Sequence, residues 1–373
     1  MKELLRIKPV DLDIAVNDLK MTLKALGYNK TIEDCRKDQQ LEAFGIGRII
    51  AEHKERYIVK TAEREFEGEV IGNLRFTATS RADFPAVGDW VAISEYDEDK
   101  VLIHKIFPRK TIIERKSSGK QGDKQIIATN VDVAFIVQAV DRDFNINRIE
   151  RYLSIVNTSK IAPVILLNKT DLISDEETNA LLEAVKQRIN EVSVIAISNA
   201  SGNGIEDVKR MMEFGKTYCL LGSSGVGKSS LLNTLMGEQL MKTGTISSST
   251  NRGKHITTHR ELRVMDNGGI LIDNPGMREI GLTDASDGLE STFDTIMELA
   301  KHCKFKDCTH TSEMGCAVIA ALERSEIDAS SYENFLKMER EKEHYEASIA
   351  EKRKKDKSFG KMVKNVMKHK HKY

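Results

Sequence analysis

Gly222-Ser223-Ser224-Gly225-Val226-Gly227-Lys228-Ser229 is the stretch that decides the fold. It reads G-x-x-x-x-G-K-[ST], the pattern of a phosphate-binding loop. An apolar run at 217–221 precedes it, and Ser230-Leu231-Leu232-Asn233-Thr234-Leu235-Met236 follows, helical in pattern and stopped by Gly237. Strand, loop and helix therefore stand in the required order. The glycines let backbone N–H groups curl around phosphates, and the helix N-terminus adds partial positive charge. Residues 222–230 are expected to hold a nucleoside triphosphate. Lys228 reaches the β and γ phosphates and the Ser229 hydroxyl sits on Mg²⁺.

Outward from this loop, strands alternate with helical segments, the signature of a parallel sheet covered by helices. Strand-like runs occupy 131–140, 162–167, 192–197, 261–265 and 269–272; helical patterns occupy 147–156, 176–189 and 205–212. Two of the strands end on residues that choose a base. Asn168-Lys169-Thr170-Asp171 closes one of them. A carboxylate held there accepts from both N1–H and the exocyclic amine of guanine, a donor pair adenine lacks, so the wrong base leaves a buried acceptor unpaired. The Asn168 amide supports N7 and the Lys169 stem packs over the ring. Ser198-Asn199-Ala200 ends the next strand, where its backbone can meet the guanine O6. A kinase or ATPase specific for adenine fits this set poorly.

Downstream, Asp273-Asn274-Pro275-Gly276 follows the apolar 270–272. Asp273 is expected to hold Mg²⁺ through water and the Gly276 N–H to sense the γ-phosphate. Between the phosphate loop and Asp273 lies a polar loop containing Arg252-Gly253-Lys254-His255-Ile256-Thr257-Thr258, and Thr257 is the favoured threonine for the Mg²⁺ shell. The order is unusual: base recognition at 168 and 198 precedes the phosphate loop at 222. Rejoining chain ends that lie close together explains this as a circular permutation.

The chain has 373 residues, enough for two or three domains, with 40% hydrophobic and 31% charged residues. Lysine plus arginine equals aspartate plus glutamate at 57 each, so overall charge argues nothing for nucleic acid. Residues 1–9 lack the apolar run of a signal peptide and no stretch approaches membrane-spanning length, so a cytoplasmic protein without membrane contact is expected. Residues 1–43 read as a helical lead-in. Residues 44–113 change to short alternating runs of the number and spacing of an oligonucleotide-binding (OB-fold) β-barrel, or a purely structural one. Residues 115–124 read as a polar linker. Residues 114–283 form the permuted GTPase domain and 284–350 a helical, zinc-binding domain. Residues 351–373 form a basic tail, with ten Lys or Arg, that is either solvated or bound to phosphate backbone.

Three of the five cysteines, Cys303, Cys308 and Cys316, crowd around His310. Three thiols and one imidazole in fourteen residues suit a closed, tetrahedral, structural Zn²⁺ site, one per chain, in preference to buried free thiols.

The order of these motifs, ending in CKFKDCTHTSEMGCAV at 303–318, resembles the ribosome small-subunit-dependent GTPase A family (RsgA, also called YjeQ or YloQ) over nearly the whole chain. The resemblance implies an OB-fold barrel, a central circularly permuted phosphate-loop GTPase and a C-terminal zinc domain. It also implies GTP and GDP as ligands, the small (30S) ribosomal subunit and its rRNA as partners, a monomer, and subunit-stimulated hydrolysis in late maturation. A nucleotide-gated RNA-binding checkpoint with incidental hydrolysis is the alternative. Three motifs depart from the family. Gly-Arg-His-Thr-Thr-Thr is Gly253-Lys254-His255-Ile256-Thr257-Thr258, Asp-Thr-Pro-Gly carries Asn274, and Ser-Ala is Ser198-Asn199. Met277 follows Gly276 and cannot orient a water, so His255 is the catalytic candidate, as in the family, or a contact to RNA phosphate.

Overall fold

Five short strands near the start of the chain close on themselves. They are β1 (Gly45–His53), β2 (Arg56–Lys60), β3 (Glu65–Val70), β4 (Trp90–Asp97) and β5 (Lys100–Ile106), in the order β1-β2-β3-β5-β4, with β4 returning to pair with β1. In β3 the residues alternate exposed and buried, and Phe66 and Val70 point inward to meet Ile49, Tyr57, Val59, Val91, Ile93, Val101 and Ile103. Closure is how so small a sheet disposes of its edges. Helix α1 (Lys30–Asp38) precedes this barrel and α2 (Gly72–Thr77) connects β3 toward β4. The computed structural model describes residues 23–53, 56–116, 124–141, 144–237, 260–273, 286–343 and 347.

The polar stretch read as a linker is shorter than its composition suggests. Arg115 and Lys116 belong to β6 (Ile112–Lys116) and Lys124 to β7 (Lys124–Thr129), which pair antiparallel as a two-stranded ribbon. Ile113 and Ile127 anchor the ribbon in the core, which a count of polar residues does not reveal.

A mostly parallel sheet follows. Its strands are β8 (Val133–Ala139), β9 (Ala162–Asn168), β10 (Ser193–Ala196), β11 (Thr217–Leu221), β12 (Arg260–Val264) and β13 (Ile270–Asp273), in the order β10-β9-β8-β11-β13-β12. All neighbours are parallel except β12 and β13. Helices α3 (Ile146–Thr158), α4 (Asp175–Arg188), α5 (Ile205–Met211) and α6 (Lys228–Met236) make the connections. The start of α4 is set by a capping box: Ser174 Oγ accepts from the Glu177 N–H and the Glu177 carboxylate accepts from the Ser174 N–H. β12 also pairs with β1, Ala51 opposite Glu261 and Glu52 opposite Arg260, so barrel and parallel sheet form one eleven-stranded sheet.

Arg48 locks this junction. It is 1% exposed. Its guanidinium donates to the Leu26, Gly88 and Asn130 carbonyls and to Thr217 Oγ1, at 2.5, 3.2, 3.5 and 2.9 Å respectively. One side chain thereby joins the lead-in, the barrel, the connecting segment and the first residue of β11. Burial pulls its pKa down to about 10, with Asp132 and Asp89 opposing, so the group stays charged at neutral pH.

The C-terminal part packs on α3. Helices α7 (Ser286–Thr292), α8 (Asp294–Ala300) and α9 (Ala317–Glu323) precede a helical stretch at 329–343. Glu150 of α3, 2% exposed, accepts from Arg188 at 2.7 and 2.8 Å, from Asn334 at 2.6 Å and from Ser331 at 3.1 Å. A buried carboxylate held by this many donors fixes the C-terminal helices against the sheet domain.

Candidate nucleotide site and candidate metal centre

Because β8, β9, β10, β11 and β13 run parallel, their carboxyl ends lie along one edge, where ligands bind in open α/β sheets. Asp141, Asn168, Ser198, Gly222 and Asp273 all fall at those ends or directly after them. The phosphate loop leaves β11 at Gly222 and enters α6 at Lys228, with Gly222, Gly225 and Gly227 at φ of +146°, +84° and +96°, conformations costly to a side chain. Lys228 Nζ donates to the Gly222 and Ser223 carbonyls at 2.6 Å each, so the loop curls about its own ammonium. Ser229 and Ser230 lie in the first turn of α6, where main-chain N–H groups have no partner within the helix. Tyr152 of α3 faces the loop at Ser223. Burial raises the pKa of that phenol, while Ser223, Arg148 and Arg151 oppose the rise.

The motifs read from the sequence as base-selecting meet this loop directly. Asn168 is 1% exposed and its Nδ2 donates to the Val226 carbonyl at 2.7 Å. Lys169, in the left-handed region at φ +69°, turns its ammonium to Asp141 at 2.7 Å. Thr170 Oγ1 donates to the Ile197 carbonyl at 3.0 Å, joining the ends of β9 and β10. Ser198 Oγ donates to Asp171 at 2.5 Å and accepts from the Ala200 and Ser201 N–H groups. Asn199 Nδ2 donates to the Gly227 carbonyl at 3.0 Å. The two base motifs, 27 residues apart, and the phosphate loop are thus one hydrogen-bonded unit. Asp273 ends β13, which β8 and β11 separate from the β9 that carries Asn168, and β11 beside it is the strand feeding the phosphate loop. Ser229 and Asp273 offer the hard oxygen donors that suit Mg²⁺. Thr257, Gly276 and the catalytic candidate His255 lie outside the described residues. Asp141 and Tyr152 were not singled out from sequence. Asp141 was legible in principle as an acid just past an apolar strand, whereas Tyr152 looks like any core position of an amphipathic helix.

Cys303, Cys308, His310 and Cys316 come together, with their ligand atoms all within 4.8 Å of one another. Bonds of about 2.3 Å to sulfur and about 2.0 Å to nitrogen at tetrahedral angles put sulfurs about 3.8 Å apart and sulfur to nitrogen about 3.6 Å. Cys303 Sγ lies 3.8 Å from Cys316 Sγ, and His310 Nδ1 is 3.6 and 3.5 Å from these two sulfurs. The donor set fits a tetrahedral metal. Backbone N–H groups of Ala317 and Ile319 point at Cys303 and Cys316, as thiolate charge requires. The intervening turn is tied by Glu313, whose carboxylate accepts from the Thr309 hydroxyl and N–H and from Thr311 and Ser312.

A phosphate loop preceded in the chain by its own base motifs, on a parallel sheet fused to a five-stranded barrel, defines a circularly permuted GTPase. A family model described as RsgA GTPase matches residues 106–283. The small ribosomal subunit biogenesis GTPase RsgA 1 of Bacteroides thetaiotaomicron is 40% identical, over 93% of this chain and 97% of its own. The RsgA of Opitutus terrae is 39% identical, over 86% of this chain and 90% of its own. Among solved structures, YjeQ from Thermotoga maritima superposes with a TM-score of 0.59 at 25% identity, covering 80% of this chain and 98% of that one. YloQ, described as a circularly permuted GTPase, gives 0.57 at 25% identity, covering 81% and 96%. The chain belongs to the RsgA GTPase family.

Proposed function

We propose that this protein hydrolyses GTP in the late maturation of the small ribosomal subunit, binding the subunit through its rRNA and leaving on hydrolysis. The observation that carries the reading is the bond from Asn168 to the Val226 carbonyl, which joins guanine selection to phosphate binding in one hydrogen-bonded unit. Asp171 takes the two guanine donors, oriented by Ser198. Main-chain N–H groups of residues 222–230 and the Lys228 ammonium hold the phosphates, and Gly276 reads the γ-phosphate. Ser229, Thr257 and Asp273 would hold Mg²⁺, which supplies charge neutralisation at the phosphates. The Cys303, Cys308, His310 and Cys316 donor set suits Zn²⁺ in a closed, structural role. His255 positions the attacking water, and the site waits on the subunit to complete it; the protein acts in the cytoplasm as a monomer.

The test is hydrolysis of GTP and of ATP with and without purified small subunits. Selective GTP turnover that rises severalfold with subunits is expected. Turnover indifferent to subunits, with subunit affinity that follows the bound nucleotide, would mean a binding checkpoint instead. Single-turnover hydrolysis at saturating subunits assigns His255: the Ala variant should be slow with nearly unchanged GTP affinity. A wild-type rate there would remove it from the chemistry.

A further inference from the structure

The geometry points to the Asn199 side chain as a second tether between the base loop and the phosphate loop, one that makes guanine binding and phosphate binding cooperative. This inference rests on the guanine-nucleotide reading of the site. In the resembling family the residue after the serine is alanine, which has no polar side chain; here Asn199 reaches across the sheet edge. Its Nδ2 donates to the carbonyl of Gly227 at 3.0 Å. That carbonyl already accepts from the Leu231 N–H at 2.9 Å, the first hydrogen bond of α6. Asn199 therefore grips the last residue of the phosphate loop at the point where the helix starts.

Three further observations fix the arrangement. The amide orientation is determined, because reversing it would set the Asn199 oxygen against the Gly227 oxygen. The Asn199 N–H lies 3.4 Å from Asn168 Oδ1, while Asn168 Nδ2 holds Val226, so two adjacent amides hold two adjacent carbonyls of the loop. Gly227 stands at φ +96°, and a Cβ there would lie 2.3 Å from Asn168 Nδ2 and 3.0 Å from Asn199 Nδ2. The loop thus passes against both amides with no room for a side chain. Asn199 Oδ1 is buried with no donor among the described residues. The bond to Gly227 is therefore the hydrogen bond that rewards the burial of this amide.

The consequence is coupling. A nucleotide is two ligands joined by a ribose, and its second half binds more tightly when the first half has already fixed the distance between the two subsites. With Asn168 alone, the phosphate loop hangs from one point and can pivot; with Asn199 as well it is held at two. Asn199 is a positioning residue in this scheme. Its side chain acts on the nucleotide through the loop.

The experiment compares wild type with Asn199→Ala by following release of a fluorescent GDP, together with competition by guanosine and by pyrophosphate. Release from the variant should be about three- to tenfold faster, the equivalent of one neutral hydrogen bond. Competition by guanosine, which lacks phosphates, and by pyrophosphate, which lacks the base, should be unchanged, because each half-site is intact. Asn199→Gln, which keeps the amide on a longer stem, should recover part of the loss. GDP release at the wild-type rate in Asn199→Ala overturns the tether. So does an equal weakening of all three ligands with a lowered melting temperature, which would mark a residue needed only for folding. Failure of the wild type to bind GDP would overturn the guanine reading itself, a result distinct from either.

Discussion

The Ser198 hydroxyl donates to the Asp171 carboxylate at 2.5 Å, across the ends of neighbouring strands β10 and β9. One carboxylate oxygen is thereby committed, and the plane of the group is fixed before any base arrives. Ser198 is itself fixed, since its oxygen accepts from the N–H groups of Ala200 and Ser201. On the proposed reading, base choice depends on Asp171 being an acceptor in one orientation. Asp171→Asn is expected to shift preference from GTP to xanthosine triphosphate, because an amide donates to the oxygen that replaces the guanine amine. Competitive titration measures it, and undiminished GTP affinity in the variant would remove Asp171 from base recognition. Ser198→Ala should weaken GTP by about tenfold, in line with a charge-assisted bond, without changing the preference.

The metal centre should hold structure. Metal analysis is expected to return one Zn²⁺ per chain, and a strong chelator should unfold the turn between Cys303 and Cys316, exposing its amides to hydrogen exchange. Cys308→Ser should do the same without chelator, while GTP affinity changes little, since no ligand of the cluster touches the phosphate loop. Fully protected amides in zinc-free protein would show the four side chains to be core alone.

Much of this architecture was readable because its parts are local. A phosphate loop needs eight consecutive residues, N-K-x-D needs four, and the cysteine cluster spans 303–316, so spacing alone carries the chemistry. The barrel strands at 45–53, 56–60 and 90–97 likewise show as short apolar runs set between turn residues. What stayed hidden is what depends on distant partners. Nothing in residues 48–52 says that β1 continues past the barrel to pair with β12, or that Arg48 reaches Thr217, 169 positions away. The β6–β7 ribbon was masked by lysines at its tip, although Ile113 and Ile127 face the core. In the site, Asn199 was read for its backbone, and its amide gained meaning only when Gly227 came within reach.

Arg48 gives a test of the junction between barrel and GTPase sheet. Lysine keeps the charge but offers one nitrogen, which cannot serve the Leu26, Gly88 and Asn130 carbonyls together with Thr217. Arg48→Lys is expected to cost about 3 kcal/mol, from a buried charge left short of acceptors and carbonyls left short of donors. Chemical denaturation reads the loss. A change under about 0.5 kcal/mol, the level of an ordinary surface substitution, would mean that the junction is held by the β1–β12 pairing without the arginine.

Gly288 of α7 gives the corresponding test for the C-terminal helices. A Cβ at this position would lie 2.0 Å from the Ser154 carbonyl oxygen and 2.2 Å from Thr158 Oγ1, so α7 can lie against α3 only because residue 288 has no side chain. The contact is buttressed by Asn157, which donates to Thr292 at 3.1 Å, and by Leu289 and Phe293 in the core. Gly288→Ala must therefore push the helices apart, at a cost of about 1–3 kcal/mol for overpacking. The nearer obstacle is main chain, so removing the threonine hydroxyl does not make room: Gly288→Ala with Thr158→Ala should stay as unstable as Gly288→Ala alone. Because α3 also carries Tyr152, which faces Ser223 of the phosphate loop, a displaced α3 should further weaken GTP binding by a few fold. Denaturation and GTP titration of the single and double variants decide it. Recovery in the double variant would put the clash on Thr158 and leave the close approach of the two backbones without its role.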